Sequence, residues 1–391
     1  MEFALFALTL AGVAVMHHRT LEVALAGLGA ITLYKLAVGG FHEAAGLAGL
    51  AAHFAAEWVV LLNLFALLMG FALLARHFED SRIPEALPAL LPDDWKGGVV
   101  LLAIVFVLSS FLDNIAAAII GGSMAATVYR ERVHIGYLAA IVAASNAGGS
   151  GSVIGDTTTT MMWIEGVPAI DVLHAYVAAG AAFLVFAVPA ARAQQRHAPI
   201  RRDPPAGLAI DWARATVVVV ILAAAIATNI YVNLRHAGLA ERFPFLGAAV
   251  WLALLATAPW RRPAWAILPA TAKGSVFLLS LVASASMMPV EQLPAPTWQS
   301  ALGLGFVSSV FDNIPLTKLA LEQGGYDWGV LAYAVGFGGS MIWFGSSAGV
   351  AISNRFPQAR SVGAWLRHGW FVALAYVVGY SALLGVLGWR P

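Results

Sequence analysis

Apolar stretches long enough to cross a bilayer recur along the whole chain, separated by short polar segments. A spanning helix needs about 20 mostly apolar residues. That length predicts about ten crossings, near 2–17, 20–37, 56–76, 134–164, 169–191, 213–233, 245–260, 273–290, 327–354 and 362–388. Two further apolar stretches, near 97–128 and 297–322, are too long for one crossing and too short for two. Each is polar at its middle, from Ser109 to Asn114 and from Ser308 to Asn313. Chain that enters, turns at mid-depth and leaves fits this pattern. Non-helical backbone at that depth is tolerated only where it is buried in protein or lines a cavity, so both stretches are predicted to be re-entrant helical hairpins. The stretches 134–164 and 327–354 concentrate poor helix formers at Asn146 to Gly151 and at Gly336 to Ser340, and are predicted to be broken helices. Segments near 41–54, 81–92 and 262–272 read as interfacial helices or loops. The predicted fold is an all-α polytopic membrane protein.

The polar interruptions come in pairs. Ser109-Ser110-Phe111-Leu112-Asp113-Asn114-Ile115 returns as Ser308-Ser309-Val310-Phe311-Asp312-Asn313-Ile314. Gly148-Gly149-Ser150 with Gly155-Asp156-Thr157 returns as Gly338-Gly339-Ser340 with Gly345-Ser346-Ser347. Duplicated interruptions in apolar segments point to a transporter site at a repeat interface. With the N-terminus outside, about seventeen of the 22 Lys and Arg, Arg130, Arg132, Arg201, Arg261 and Arg355 among them, fall on the cytoplasmic side. Lys35, Arg235, Arg242 and Arg390 fall outside, and Lys318 lies in the second hairpin. This bias would collapse if either hairpin were a true span. A basic linker at 193–212, with Arg201, Arg202, Pro204 and Pro205, divides the chain into halves 1–192 and 213–391. Five crossings in the first half make the halves inverted repeats, with both termini on the outer side of a cell inner (plasma) membrane. The first hairpin would then enter from the cytoplasm and the second from outside.

Composition agrees. The 391 residues are 60% hydrophobic and 11% charged, with mean hydropathy +0.79, where a soluble domain carries about 25% charged residues. A net charge of +1 gives no electrostatic handle for nucleic acid, and the lack of cysteine excludes disulfide and thiol chemistry. Glu2 stands where a signal peptide has a basic region, so the first apolar stretch is expected to be retained.

The chemistry is expected at the interruptions. Asp113 and Asp312 occupy the two hairpin tips, and Asp156 follows the first helix break. An Asp before a half-helix is a good N-cap. An ionisable group at membrane depth is also costly and marks ion pathways. Asn114, Asn146 and Asn313 would add neutral oxygens, completing a sodium site with the three aspartates. Ser109, Ser110, Ser308 and Ser309 either line the site or bond within the loops. Gly148, Gly149, Gly338, Gly339 and Ser340 would expose backbone carbonyls at the breaks. Thr157 and Thr158 open a run of four threonines whose hydroxyls can bond ligand or backbone. Ser346 and Ser347 hold the matching places in the second repeat, where the carboxylate is missing. Lys318 either snorkels or pairs with Glu322 at i+4, or stands as a surrogate cation beside a site carboxylate. Asn63, Glu57 and Glu291 read as structural or interfacial, and His17, His18, His134 and His174 sit mostly at span ends.

These motifs resemble the NhaD-type sodium/proton antiporters of the ion transporter superfamily, which also contains dicarboxylate and citrate carriers. The resemblance rests on Phe111 to Asn114, Asn146 to Gly149, Ile154 to Ile164, Phe311 to Pro315 and Gly338 to Ala351, and covers most of residues 55–385. It implies a scaffold domain, a transport domain holding the hairpins and broken helices, elevator-like movement and a homodimer. It places the ion sites at the hairpin tips and helix breaks. The chain departs from the family at Gly151 and Val153, where antiporters commonly carry bulky aromatic and proline residues, and at Lys318.

Two functions remain open at this level. One is a secondary active transporter exchanging sodium or lithium for protons, with no cofactor beyond the transported ions. The other is sodium- or proton-coupled transport of a carboxylate or other anion, favoured by Lys318 and by the space expected beside Gly151. Two aspartates in the tips argue for a cation. An enzyme is not expected, because an intramembrane aspartyl protease wants Gly-x-Gly-Asp where this chain reads Val153-Ile154-Gly155-Asp156.

Overall fold

In a computed structural model the chain is described at residues 1–16, 19–41, 44–86, 89, 91–201, 209–235 and 242–391. His17, His18 and the linker residues Arg202, Pro204 and Pro205 lie outside the described residues. Every regular element among the described residues is helical, and the protein is a polytopic all-α membrane protein. Among the described residues, six helical stretches are long and apolar enough to cross a membrane: Thr20–Gly39, Gly46–Asp80, Ala169–His197, Trp212–Val232, Trp265–Ser286 and Trp370–Leu387.

The main helices are α1 (Glu2–Val15), α2 (Thr20–Tyr34, running into a π turn at Lys35–Gly39) and α3 (Gly46–Asp80). The first hairpin is α4 (Trp95–Ser109) and α5 (Asn114–Val128), and the first broken helix is α6 (Ile135–Ser150) and α7 (Thr157–Ile164). Then come α8 (Ala175–His197), α9 (Trp212–Arg235), α10 (Phe245–Thr257) and α11 (Leu268–Ser286). The second hairpin is α12 (Trp298–Ser308) and α13 (Asn313–Gln323), and the second broken helix is α14 (Trp328–Gly338) and α15 (Ser347–Arg355). The chain closes on α16 (Trp370–Leu387).

The largest departure from expectation is α3. It was predicted at 56–76 with an interfacial segment before it, yet it runs unbroken for 35 residues and absorbs most of that segment. Gly46 begins it at φ +69°, a left-handed turn that glycine adopts without strain. Likewise α11 starts at Leu268, inside a stretch expected to be interfacial. The last predicted span divides at Gly369 into Val362–His368 and α16.

The helices fall into two packing groups. α1, α2, α3, α9, α10 and α11 form one, and the hairpins, the broken helices, α8 and α16 form the other. They meet where α13 packs on α11 and α7 on α3. At the foot of α9, Asp211 accepts from Arg261 Nε at 3.0 Å, and that guanidinium holds its carboxyl below the usual range.

The second group is built around α6 and α14, which are buried on all sides from Gly136 to Ser150 and from Gly329 to Gly338. A helix apolar all round belongs in a core. Lipid supplies no hydrophobic drive between helices, so close packing of small residues must hold them. α6 accordingly carries Ala139, Ala140, Ala143, Ala144, Ala147, Gly148 and Gly149 along its length. On α14 the rings of Tyr333 and Phe337 stack with Tyr376 of α16, with centroids 5.3 to 6.4 Å apart.

Close backbone contact fixes the interruptions. A methyl group at Gly148 would collide with the Phe106 carbonyl in the first hairpin, and one at Gly338 with the Gly305 carbonyl in the second. Gly155 and Gly345 meet the carbonyls of Ser109 and Ser309 in the same way. Each hairpin is thus seated backbone to backbone in the break of its partner helix. Gly148→Ala should lower stability in detergent by roughly 1–3 kcal/mol through overpacking. Gly180→Ala, on α8 with nothing within 4 Å, should be neutral or stabilise by about 0.5–1 kcal/mol. Thermal unfolding of the two variants separates them.

Candidate functional site

The three aspartates all sit at helix N-termini. Asp113 Oδ1 accepts from Ile115 N at 2.9 Å, Asp312 Oδ1 from Ile314 N at 3.0 Å, and Asp156 Oδ1 from Thr158 N at 2.9 Å. The capping reading and the site reading are therefore compatible. One carboxylate oxygen caps the half-helix, where the N-terminal dipole favours negative charge, and the other is left for the site. The two tips have nearly the same backbone, with φ/ψ of −51°/141° at Asp113 and −53°/139° at Asp312. The breaks match too, at −144°/144° for Asp156 and −143°/153° for Ser346.

Each tip is tied to its break through the second oxygen. Thr157 Oγ1 lies 3.5 Å from Asp113 Oδ2, and Ser347 Oγ donates to Asp312 Oδ2 at 3.3 Å. Asp156 is held more tightly: Oδ2 accepts from Asn114 Nδ2 at 2.7 Å, and Oδ1 accepts from Thr158 Oγ1 at 2.9 Å. The threonine run divides by function. Thr157 and Thr158 face the carboxylates, while Thr159 and Thr160 donate to the carbonyls of Ser152 and Val153 that the break leaves without helix partners.

Asn146 joins the two halves. Its Oδ1 accepts from Asn114 Nδ2 at 3.1 Å, and its Nδ2 donates to Ser340 Oγ at 2.9 Å and to Ser346 Oγ at 3.0 Å. The network Asp156–Asn114–Asn146–Ser340/Ser346 thus runs from the first hairpin through both breaks, fully buried. The second half has no counterpart. Gly336 stands where the first half has Asn146, and Ser346 where it has Asp156. Asn313 Nδ2 is accordingly buried with no hydrogen-bond partner among the described residues.

The serines differ in the same way. Ser308 Oγ donates to Val335 O at 2.7 Å, whereas Ser109 Oγ is buried without a partner among the described residues. Ser110 Oγ donates to Gly148 O at 3.1 Å, and Ser309 Oγ to Phe306 O at the end of its own helix α12. Gly148, Gly149, Gly338 and Gly339 line the close contacts between tips and breaks.

A cavity of about 470 Å³ reaches these groups from one face. Asp113, Asp156, Thr157 and Ser347 stand at its inner end, with Leu64, Leu67, Leu68 and Phe71 of α3 and Thr271, Ser275 and Leu278 of α11 along its walls. Arg76 and Glu79 stand at the other end. No described basic side chain forms an ion pair with Asp113, Asp156 or Asp312.

Lys318 is not among the aspartates. It is buried, and its ammonium is held by Glu57 at 3.0 Å, Glu165 at 2.7 Å and Glu322 at 2.6 Å. The pairing with Glu322 is the i+4 contact expected from sequence, and a place beside a site carboxylate is not observed. Glu57 reads from sequence only as structural or interfacial, and Glu165 not at all; their pairing with Lys318 escapes sequence reasoning because the three residues come from distant elements. The space expected beside Gly151 is filled by the Tyr176 ring, whose hydroxyl donates to Gly148 O at 3.1 Å.

Removing Asn114 would leave Asp156 Oδ2 and Asn146 Oδ1 without their shared donor. Unmet buried groups cost about 1–3 kcal/mol each, so Asn114→Ala should unfold at clearly lower temperature than Asn313→Ala, which removes an amide nitrogen with no partner. Equal shifts would show that the Asn114 network contributes little to stability.

No protein-family model matches the chain. It is similar to two proteins of Arabidopsis thaliana. Sodium/proton antiporter 1 is 25% identical over 322 residues, covering 72% of this chain and 54% of that protein. Sodium/proton antiporter 2 is 27% identical over 283 residues, covering 63% and 66%. The chain therefore spans between about half and two thirds of the length of these curated relatives.

Proposed function

We propose that this protein is a secondary active transporter exchanging sodium or lithium for protons at the site of Asp113, Asp156, Asn114 and Asn146, with Asp312 and Asn313 completing the arrangement. The observation that carries the proposal is the pair Asp113 and Asp156, two carboxylates at one end of one cavity with neutral oxygen donors around them and no described protein cation paired to them. Two fixed negative charges at membrane depth need a counter-charge. A proton on the carboxyl or a hard cation among oxygens supplies it, and competition for one site couples the two flows in opposite directions. The sodium/proton antiporter names of the Arabidopsis relatives support the same reading. The anion alternative loses both its supports, since Lys318 is held by glutamates and Tyr176 occupies the space at Gly151.

The halves 1–192 and 213–391 act as inverted repeats in this proposal. The group holding hairpins and broken helices moves against α3 and α11 in an elevator-like stroke, within a homodimer, as the family resemblance implies. Both termini lie on the outer side of the inner membrane.

Purified protein in liposomes tests this. A sodium or lithium gradient should drive a pH change in the lumen, and Asp156→Asn should abolish it while the variant folds normally. Acidification should raise the cation concentration needed for half-maximal exchange, because protons occupy the carboxylates. The antiporter reading falls if the wild type shows no cation-driven proton flux but takes up a carboxylate, and Asp156 leaves the mechanism if its Asn variant exchanges near the wild-type rate.

A further inference from the structure

The end of the cavity nearest the aspartates is closed by two layers, and three chain segments pass through both. The first layer is apolar: Leu64 of α3, Met161 of α7, Leu278 and Val282 of α11 and Ile314 of α13 form one buried cluster. The second is the ion cluster around Lys318. Lys318 lies four residues beyond Ile314, Glu165 four beyond Met161, and Glu57 seven before Leu64. One helical turn separates the layers on α7 and α13, and two turns on α3. The aspartates lie on the other side of the apolar layer, with Asp156 five residues before Met161 and Asp312 two before Ile314. Arg76, at the open end of the cavity, is 19 residues from Glu57 on the same helix, a separation of about 28 Å at 1.5 Å per residue. The sequence across the protein is therefore open cavity, carboxylates, apolar layer, charged layer.

The charged layer joins the two packing groups. Glu57 belongs to α3, whereas Lys318 and Glu322 belong to α13 and Glu165 caps the end of α7. Lys318 is 2% exposed at its side chain, against 15% for Glu57, 26% for Glu165 and 29% for Glu322. An ammonium so enclosed is stable only while paired. Glu165 and Glu322 can keep it paired if Glu57 departs, since both lie in its own packing group.

We propose that the Lys318–Glu57 ion pair is the latch of a two-layer gate that closes the Glu57 face while the site is open to the Arg76 face. The latch releases when α13 and α7 move relative to α3. Glu165 and Glu322 hold the ammonium through that movement, so the enclosed lysine is never left unpaired. The stroke itself rests on the transport reading above, but the gate can be tested without moving any ion.

The chain has no cysteine, so a single introduced thiol reports alone. Val282, in the apolar layer and fully buried, is the reporter. Val282→Cys is labelled with a membrane-impermeant maleimide applied to each face of oriented vesicles in turn. Labelling should be slow from both faces in this background. Adding Glu57→Gln should raise the rate from the Glu57 face alone by about 5- to 30-fold, the ratio that one or two kcal/mol of lost latch energy produces. Adding Glu322→Gln removes the same charge from the same layer without touching the bridge to α3, and should leave the rate unchanged. The proposal is overturned if Glu57→Gln labels no faster than its background, if Glu322→Gln speeds labelling equally, or if the rate rises from both faces together. A latch that passes this test in a protein without cation-driven proton flux would stand, and the antiporter reading alone would fall.

Discussion

Backbone contact at four glycines is the constraint on which the rest of the structure depends. Gly148 and Gly155 admit the carbonyls of the first hairpin into the break of α6–α7, and Gly338 and Gly345 do the same for the second hairpin. That approach places the four half-helix N-termini capped by Asp113, Asp156, Asp312 and Ser346 next to one another deep in the protein. Their unpaired amides and positive dipole ends make the interior tolerable for carboxylates. Remove the contact and Asp113 loses the hydroxyl of Thr157, Asp312 that of Ser347, and the carbonyls freed at each break lose their seats. The expense of placing charge at this depth is met by local geometry rather than by an internal salt bridge.

The two halves share that backbone geometry and part company in their side chains. The first half has Asn146 and Asp156, and the second has Gly336 and Ser346. The result is one hydrogen-bonded network centred on Asp156, with the second half contributing hydroxyls to Asn146. Ile119 and Lys318 are the matching pair on the hairpins; Lys318 pairs with Glu57 of the other packing group, whereas Ile119 lines the cavity. The repeated sequence thus carries the Asp156 hydrogen-bond network in one half and the Lys318 ion cluster in the other. Neither role is repeated in the other half.

Much of this was legible in the sequence, and the failures have physical causes. Apolar length revealed the six long spans found among the described residues, while the stretches near 2–17 and 245–260 form shorter apolar helices; the duplicated Ser-Ser-x-x-Asp-Asn-Ile revealed both tips, because polar residues in a bilayer are costly enough to need a reason. The boundaries of α3 are misread because the glycines Gly46 and Gly49 and His53 interrupt the apolar pattern where the helix in fact continues. The special place of Asn146 was visible only as a mismatch with Gly336. The partners of Lys318 could not be read at all beyond Glu322, since Glu57 and Glu165 are 261 and 153 residues away in sequence. Tyr176 filling the place beside Gly151 was equally hidden, because a ring from another helix leaves no mark on local pattern.

The central claim is that sodium and protons contend for the same buried carboxylates. Adding sodium or lithium to the purified protein in weakly buffered detergent solution, at a pH where those carboxyls hold protons, measures this directly. The account predicts prompt proton release that saturates with cation concentration and disappears in Asp156→Asn. Cation binding detected calorimetrically with no protons released at any pH would contradict it.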